Sequence, residues 1–293
     1  MVRGGTGRKE EGEGPLGTGR RDLGGKVMAL FSRKPKLKLS CLPLGLFREI
    51  FEERSVSFED WIKMASKLKL NGIELHQRYL ETVRPSEISL FSDFLRVKGL
   101  RISMVVLDVD ILLREEDERR RQVELVGRGV DLARLFRTDL VRVPISWPGG
   151  VVPGEVLETA RRGLEEASRY ARARYTRLAV EGTAGTPAGE LRTLWQRPHI
   201  YLSLDVAQAV RSGEDPIGVV REAWGRIAHI RLGDLGPKME PVPLGEGLVD
   251  IEGLLALLKA RRFSGWVSIA PEVGGIEAIK DGISFVREVW QAL

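Results

Sequence analysis

The amino-acid sequence predicts a (β/α)8 barrel on three observations. Eight short, β-rich apolar runs recur along the chain, longer helical patterns separate them, and no dinucleotide-binding G-x-G-x-x-G follows any of the runs. Strands alternating with helices make parallel βαβ units. Without the glycine fingerprint, a closed barrel is favoured over an open doubly wound sheet. A length of 293 residues suits one barrel of roughly 250 residues with an extension.

The elements follow in order. Residues 1–36 are rich in glycine and lack apolar periodicity, so a flexible Gly/Arg-rich tail is expected, with the barrel over 37–293. Met28 stands just before the regular pattern begins and is an alternative start. The expected strands are 37–42, 72–75, 101–107, 140–145, 177–181, 200–205, 226–232 and 266–270. A helix is expected from Ser57, with Asp60 three residues on in a capping-box arrangement. Charged amphipathic segments at 114–136 and 152–175 read as helices, the second after Pro153. Another starts near Pro216, and IEGLLALLKA follows Asp250 as N-cap.

Composition excludes several classes. Cys41 is the only cysteine, which rules out an intramolecular disulfide and a thiolate zinc cluster. No apolar run approaches the roughly 18 residues that cross a bilayer, and no signal peptide is recognisable, so a cytoplasmic protein without membrane contact is expected. The basic excess lies almost wholly in residues 1–36, leaving the rest near neutral. A nucleic-acid partner calls for a basic patch on the fold itself, so none is expected. Asn71 is the only asparagine and Arg far outnumbers Lys, as in thermophiles and in GC-rich genomes alike.

In such barrels the reactive groups stand at the C-terminal ends of the strands. The second run, GIELHQ, carries Glu74 and His76, and the fourth carries Arg142, with Trp147 just beyond it. LAVEGT supplies Glu181, LSLDVAQ supplies Asp205, AHIRLGD supplies His229, Arg231 and Asp234, and SIAPE ends on Glu272. Acids ending adjacent strands beside a His/Arg strand point to a convergent site. His76, Arg142, Trp147, His229 and Arg231 are the candidate substrate contacts. A structural role is the alternative for each: a satisfied core histidine, a surface residue, an ion pair with a helix, a packing aromatic.

The phrases GIELH, LAVEGT, SLDVAQ, HIRLGD, PLGEGLVDIEGLL and FSGWVSIAPE, in that order over roughly 37–293, resemble the sugar-phosphate isomerase/epimerase family of xylose isomerase-like barrels. The resemblance implies a small polyhydroxy carbonyl substrate and proton transfer between neighbouring carbons. It also implies one divalent ion, Mn²⁺, Mg²⁺ or Co²⁺, on acids and a histidine ending the fifth to eighth strands. Carried over, Glu181 and Asp205 match the first two metal ligands, and Glu181 with Glu272 are the candidate catalytic carboxylates.

Two positions depart from the pattern. Arg231 stands where a ligand histidine is usual, and Ala270 stands where the last acid is usual, with Glu272 two residues later. Metal is therefore expected to bind weakly or not at all, and Arg231 is expected to join Glu181 to Asp205 in place of the ion. Three histidines are too few for a trinuclear zinc endonuclease of this fold. The reading is an isomerase/epimerase-like protein, with a homodimer as its candidate assembly. The alternative is a non-catalytic barrel holding a small polar or anionic ligand or a partner protein.

Overall fold

The computed structural model describes Met1 and residues 36–80, 83–113, 115–147, 153–183 and 185–293. The chain divides between Lys34 and Pro35, and the second unit is the barrel. Of the expected tail, 1–36, residues 2–35 lie outside the described residues.

Eight parallel strands form a single ladder: β1 (Leu39–Cys41), β2 (Gly72–His76), β3 (Arg101–Val106), β4 (Leu140–Ser146), β5 (Arg177–Thr183), β6 (Ile200–Asp205), β7 (Ile227–Leu232) and β8 (Trp266–Ile269). Their order around the sheet is β1-β8-β7-β6-β5-β4-β3-β2, a nearly closed barrel. Every strand lies within two residues of the expected span. The seam between β1 and β2 is stitched by Asn71. Its side-chain oxygen accepts from the Leu39 N–H (2.9 Å), and its own N–H donates to the Leu39 carbonyl (2.9 Å). Gly72 follows because a Cβ there would lie 2.6 Å from the Arg101 carbonyl and 3.0 Å from the Trp266 ring.

Around the sheet run α1 (Phe58–Lys67), α2 (Ile88–Val97), α3 (Glu116–Leu135), α4 (Gly154–Arg172), the short α5 (Arg192–Trp195) and α6 (Val206–Arg211), then α7 (Pro216–Glu222), α8 (Ile251–Ala260) and α9 (Gly275–Ala292). The caps fall where the sequence places them. Ser57 accepts from the Asp60 N–H, Asp215 caps α7 with Pro216 in its first turn, and Asp250 caps α8.

Burial follows the period-two alternation of the strands. Ile73 and Leu75 point outward into the layer beneath the helices, with Trp61, Ile62 and Ala65 of α1. Met104, Leu140, Ala179 and Ala228 pack with Tyr201 in a separate inner cluster. Trp266 enters between Lys38 and Arg101, whose cations lie 6.0 and 5.3 Å from its ring. Above this apolar layer the inward side chains become polar. That change places the site.

Candidate functional site

Glu74 is the middle residue of β2, between the outward Ile73 and Leu75, and is fully buried. Its carboxylate meets Arg231, from β7 across the barrel. Arg231 Nη2 donates to Oε2 at 2.6 Å and Nε to Oε1 at 3.4 Å, while the Ser268 hydroxyl donates to Oε1 at 2.5 Å. Glu181, two residues before the end of β5, accepts from Arg231 Nη1 and from Arg142 Nε on one oxygen, both at 2.7 Å, and from the Ser203 hydroxyl on the other at 2.6 Å. Two guanidiniums and two carboxylates thus form a continuous buried chain, Glu74–Arg231–Glu181–Arg142. Burial opposes the charge on each acid, but the arginines outweigh it. Glu74 is held down to about 2, chiefly by Arg231, and Glu181 also lies below its ordinary value.

Asp205 behaves differently. One of its oxygens caps α6, accepting from the Gln208 N–H at 3.0 Å, and the other lies 3.5 Å from Arg231 Nη1. The longer separation leaves burial dominant, aided by repulsion from Glu181, and its carboxyl is raised to about 6. A recess of about 10 Å³ touches Asp205 and Ser203 but lies mostly among Gly182, Thr186, Ala188, Leu204 and Ala209, room for about one water. A larger cavity of about 270 Å³ lies among Phe51, Arg54, Phe58 and Arg78, away from the cluster.

The remaining candidates disperse. His76, at the top of β2, accepts the Arg78 N–H on Nδ1 (3.4 Å). That leaves Nε2 to carry the proton towards Asp108, 3.4 Å away, and the ring sits against Phe47 and Phe51. His229 is fully buried with Nε2 3.6 Å from Glu74, and neither ring nitrogen has a hydrogen-bond partner among the described residues. Burial lowers its pKa, so it stands neutral beside the chain of charges. Trp147 packs half-buried on the outer core, its backbone N–H donating to the Thr186 hydroxyl at 2.8 Å. The Pro-Gly-Gly after it lies outside the described residues. Glu272 pairs with Arg211 of α6, at 2.8 and 3.3 Å, rather than with the cluster. The strand continues through Ala270, whose N–H reaches the Leu232 carbonyl, and the carbonyl of Pro271 then turns to the Gly45 N–H.

Two corrections follow. Arg231 Nη1 does lie between Glu181 and Asp205, at 2.7 and 3.5 Å, but its hydrogen bonds go to Glu181 and, across the barrel, to Glu74, because a guanidinium on a long stem crosses the barrel as readily as it reaches the next strand. Ser203, Ser268 and Asp108 belong to the site although strand-end reasoning passes over them, and Glu74, noted in the second run, takes no role from that reasoning. Glu74 alone left a signal, an acid at an inward position inside an apolar run. Asp234 proves to be a scaffold: its carboxylate accepts the N–H groups of Leu235, Gly245, Gly247 and Val249 at 2.9–3.1 Å and so shapes the loop 234–249.

The donor set does not fit a divalent ion. Such sites take carboxylate oxygens and imidazole nitrogens with free lone pairs. Here the oxygens of Glu181 are bonded to Arg142, Arg231 and Ser203, position 231 is a permanent cation, and position 270 offers a methyl group. Among the described residues, no three His, Cys, Asp or Glu side chains are grouped to hold a metal.

A family model described as a xylose isomerase-like TIM barrel matches residues 62–289. An inosose dehydratase from Clostridium botulinum (strain Eklund 17B / Type B) is 24% identical over 280 residues, spanning 81% of this chain and 90% of that protein. A 2-oxo-tetronate isomerase from Pectobacterium atrosepticum is 25% identical over 162 residues, 50% of this chain and 61% of that protein. Among solved structures, L-ribulose 3-epimerase superposes with a TM-score of 0.73 at 14% identity, over 88% of this chain and 95% of that one. The IOLI protein, solved with a bound zinc atom, gives a TM-score of 0.67 at 16% identity, over 87% and 96%. These structures share the fold, and the family match covers most of the chain: the protein is a member of the xylose isomerase-like TIM barrel family.

Proposed function

We propose that the barrel mouth takes a small polyhydroxy carbonyl compound and moves a proton between its neighbouring carbons, in the manner of an isomerase or epimerase. Isomerisation, epimerisation beside a carbonyl and loss of water from a hydroxy ketone all begin by removing the proton from the carbon next to the carbonyl. The relatives' names span these three outcomes. The observation that carries the reading is Asp205. It is the one acid of the cluster without a short bond to a guanidinium, it borders the recess, and at about 6 its pKa suits a general base near neutral pH. In this scheme Asp205 takes the proton from the carbon beside the carbonyl, leaving an enediolate. For isomerisation it returns the proton to the former carbonyl carbon as the hydroxyl proton passes to the oxyanion, and for epimerisation the same carbon is reprotonated on its other face. Arg142, held by Glu181 through Nε and by the Leu107 carbonyl through Nη1 (3.4 Å), keeps Nη2 for the developing oxyanion.

The test is proton exchange. Incubated in D₂O with EDTA and a panel of four- to six-carbon hydroxy ketones and 2-oxo acids, the protein should place deuterium beside the carbonyl of at least one. Asp205→Asn should slow that exchange by roughly 10²–10⁴-fold. The second reading, a non-catalytic binding barrel, draws on the water-sized recess and the fully engaged Glu181. Ligand-induced stabilisation without any exchange decides for it.

A further inference from the structure

Three carboxylates, Glu74, Glu181 and Asp205, converge inside this barrel, and acids so close repel one another unless positive charge lies between them. A divalent ion would supply two charges. Arg231 and Arg142 also supply two, from side chains whose relative exposures are only 5% and 10%. We infer that this chain has exchanged the family's removable metal for two permanent guanidinium cations, with Glu74 as the positioning residue that makes the exchange possible.

The geometry of Arg231 carries the argument. Each of its three nitrogens is committed: Nε and Nη2 to Glu74, Nη1 to Glu181. Such a planar, forked contact is one that arginine makes and a point cation does not. The anchor comes from β2, on the far side of the barrel from β5, so Glu74 and Glu181 hold the guanidinium from two sides. The serines complete the arrangement. Ser268 is paired in register with Arg231 and donates to Glu74, and Ser203 donates to Glu181. Ala270, the next inward position on β8, adds no oxygen. A metal entering here would have to displace a buried guanidinium from Glu181, and the nearby imidazole, His229, lies against Glu74 (3.6 Å) and not at position 231, where the family's ligand stands. The charge cannot be chelated away, and it is fixed in direction before any ligand arrives.

The inference rests on the family membership and not on the proton-transfer reading, and its test uses no activity assay, so either can fail alone. Mn²⁺ alone is the probe. The parent, Arg231→His and the double variant Arg231→His/Ala270→Glu are titrated calorimetrically, then dialysed for metal analysis and melted with EDTA or Mn²⁺. The parent should bind Mn²⁺ no tighter than ~1 mM and melt identically in both. The double variant should bind about one ion per chain at least ~100-fold tighter than the parent and melt higher with Mn²⁺ than with EDTA. A parent that binds Mn²⁺ at or below ~10 μM, or loses stability in EDTA, overturns the exchange. So does a folded double variant that gains no affinity. If the double variant does not fold, the parent's titration and melts decide.

Discussion

Glu74→Gln is expected to cost about 3–5 kcal/mol, because it leaves Arg231 buried with half of its partners gone. At about 2–4 °C of melting temperature per kcal/mol in a domain of this size, the midpoint should fall by at least about 6 °C at pH 7. The Arg211–Glu272 pair is the control. Its side chains are 22% and 36% exposed, and Glu272→Gln should cost no more than about 1 kcal/mol. The pH dependence follows from the sign of the shift. The Glu74 carboxyl is depressed from 4.5 to about 2, so its contribution is fully present above about 4.5 and is lost as pH falls through about 2. The gap between parent and Glu74→Gln should narrow over that window. Equal melting temperatures at pH 7, or a gap that widens on acidification, would mean that the bond to Arg231 does not hold the barrel.

Asp205→Asn is expected to do the opposite and stabilise the protein. The carboxyl is raised from 3.8 to about 6, first by burial and then by Glu181, against the pull of Arg231. Its stabilising contribution is therefore complete below about 3.8 and lost as pH rises through about 6, so the ionised acid weighs against the fold at pH 8. Asparagine keeps the cap on α6 and removes the charge. The side chain is 13% exposed, and water moderates the effect, so the gain at pH 8 should be about 1–2 kcal/mol, shrinking to nothing near pH 4. Melts at the two pH values check this, and a variant less stable than the parent at pH 8 would contradict it. A residue that weakens its own fold while facing a recess is the pattern of a functional group retained against stability.

The fold was legible because its strands are long enough in apolar, β-branched residues to stand out, and because Ser57, Pro216 and Asp250 mark helix starts by chemistry that acts locally. α2, α6 and α9 were less visible. α6 begins directly on the strand-end Asp205, and α9 starts from Gly274 in a left-handed conformation with no side-chain cap. At the site, the acids at strand ends and the cationic character of position 231 could be read. Glu181 as a partner of Arg231 could be read as well, but Glu74 could not, because neighbouring strands are obvious from chain order, whereas Glu74 lies 157 residues away across the barrel. Glu272 escaped for a different reason: a turn at Pro271 takes it to Arg211, and two residues of separation say nothing about that turn.

The seam at Asn71 sets how this protein ages. The chain's only asparagine is followed by glycine, the neighbour that least hinders attack of the backbone nitrogen on the side-chain amide. Asparagine is among the thermolabile residues. Neither residue is free to change: Gly72 has no room for a Cβ, and the Asn71 amide oxygen holds the Leu39 N–H. Deamidation through a cyclic imide to isoaspartate would lengthen the backbone by one carbon where β1 meets β2. Damage at one bond would then be felt as opening of the whole cylinder. Prolonged heating should lower the melting temperature in step with isoaspartate found at position 71 by peptide mapping, and full conversion without such a fall would show that the barrel closes without this stitch.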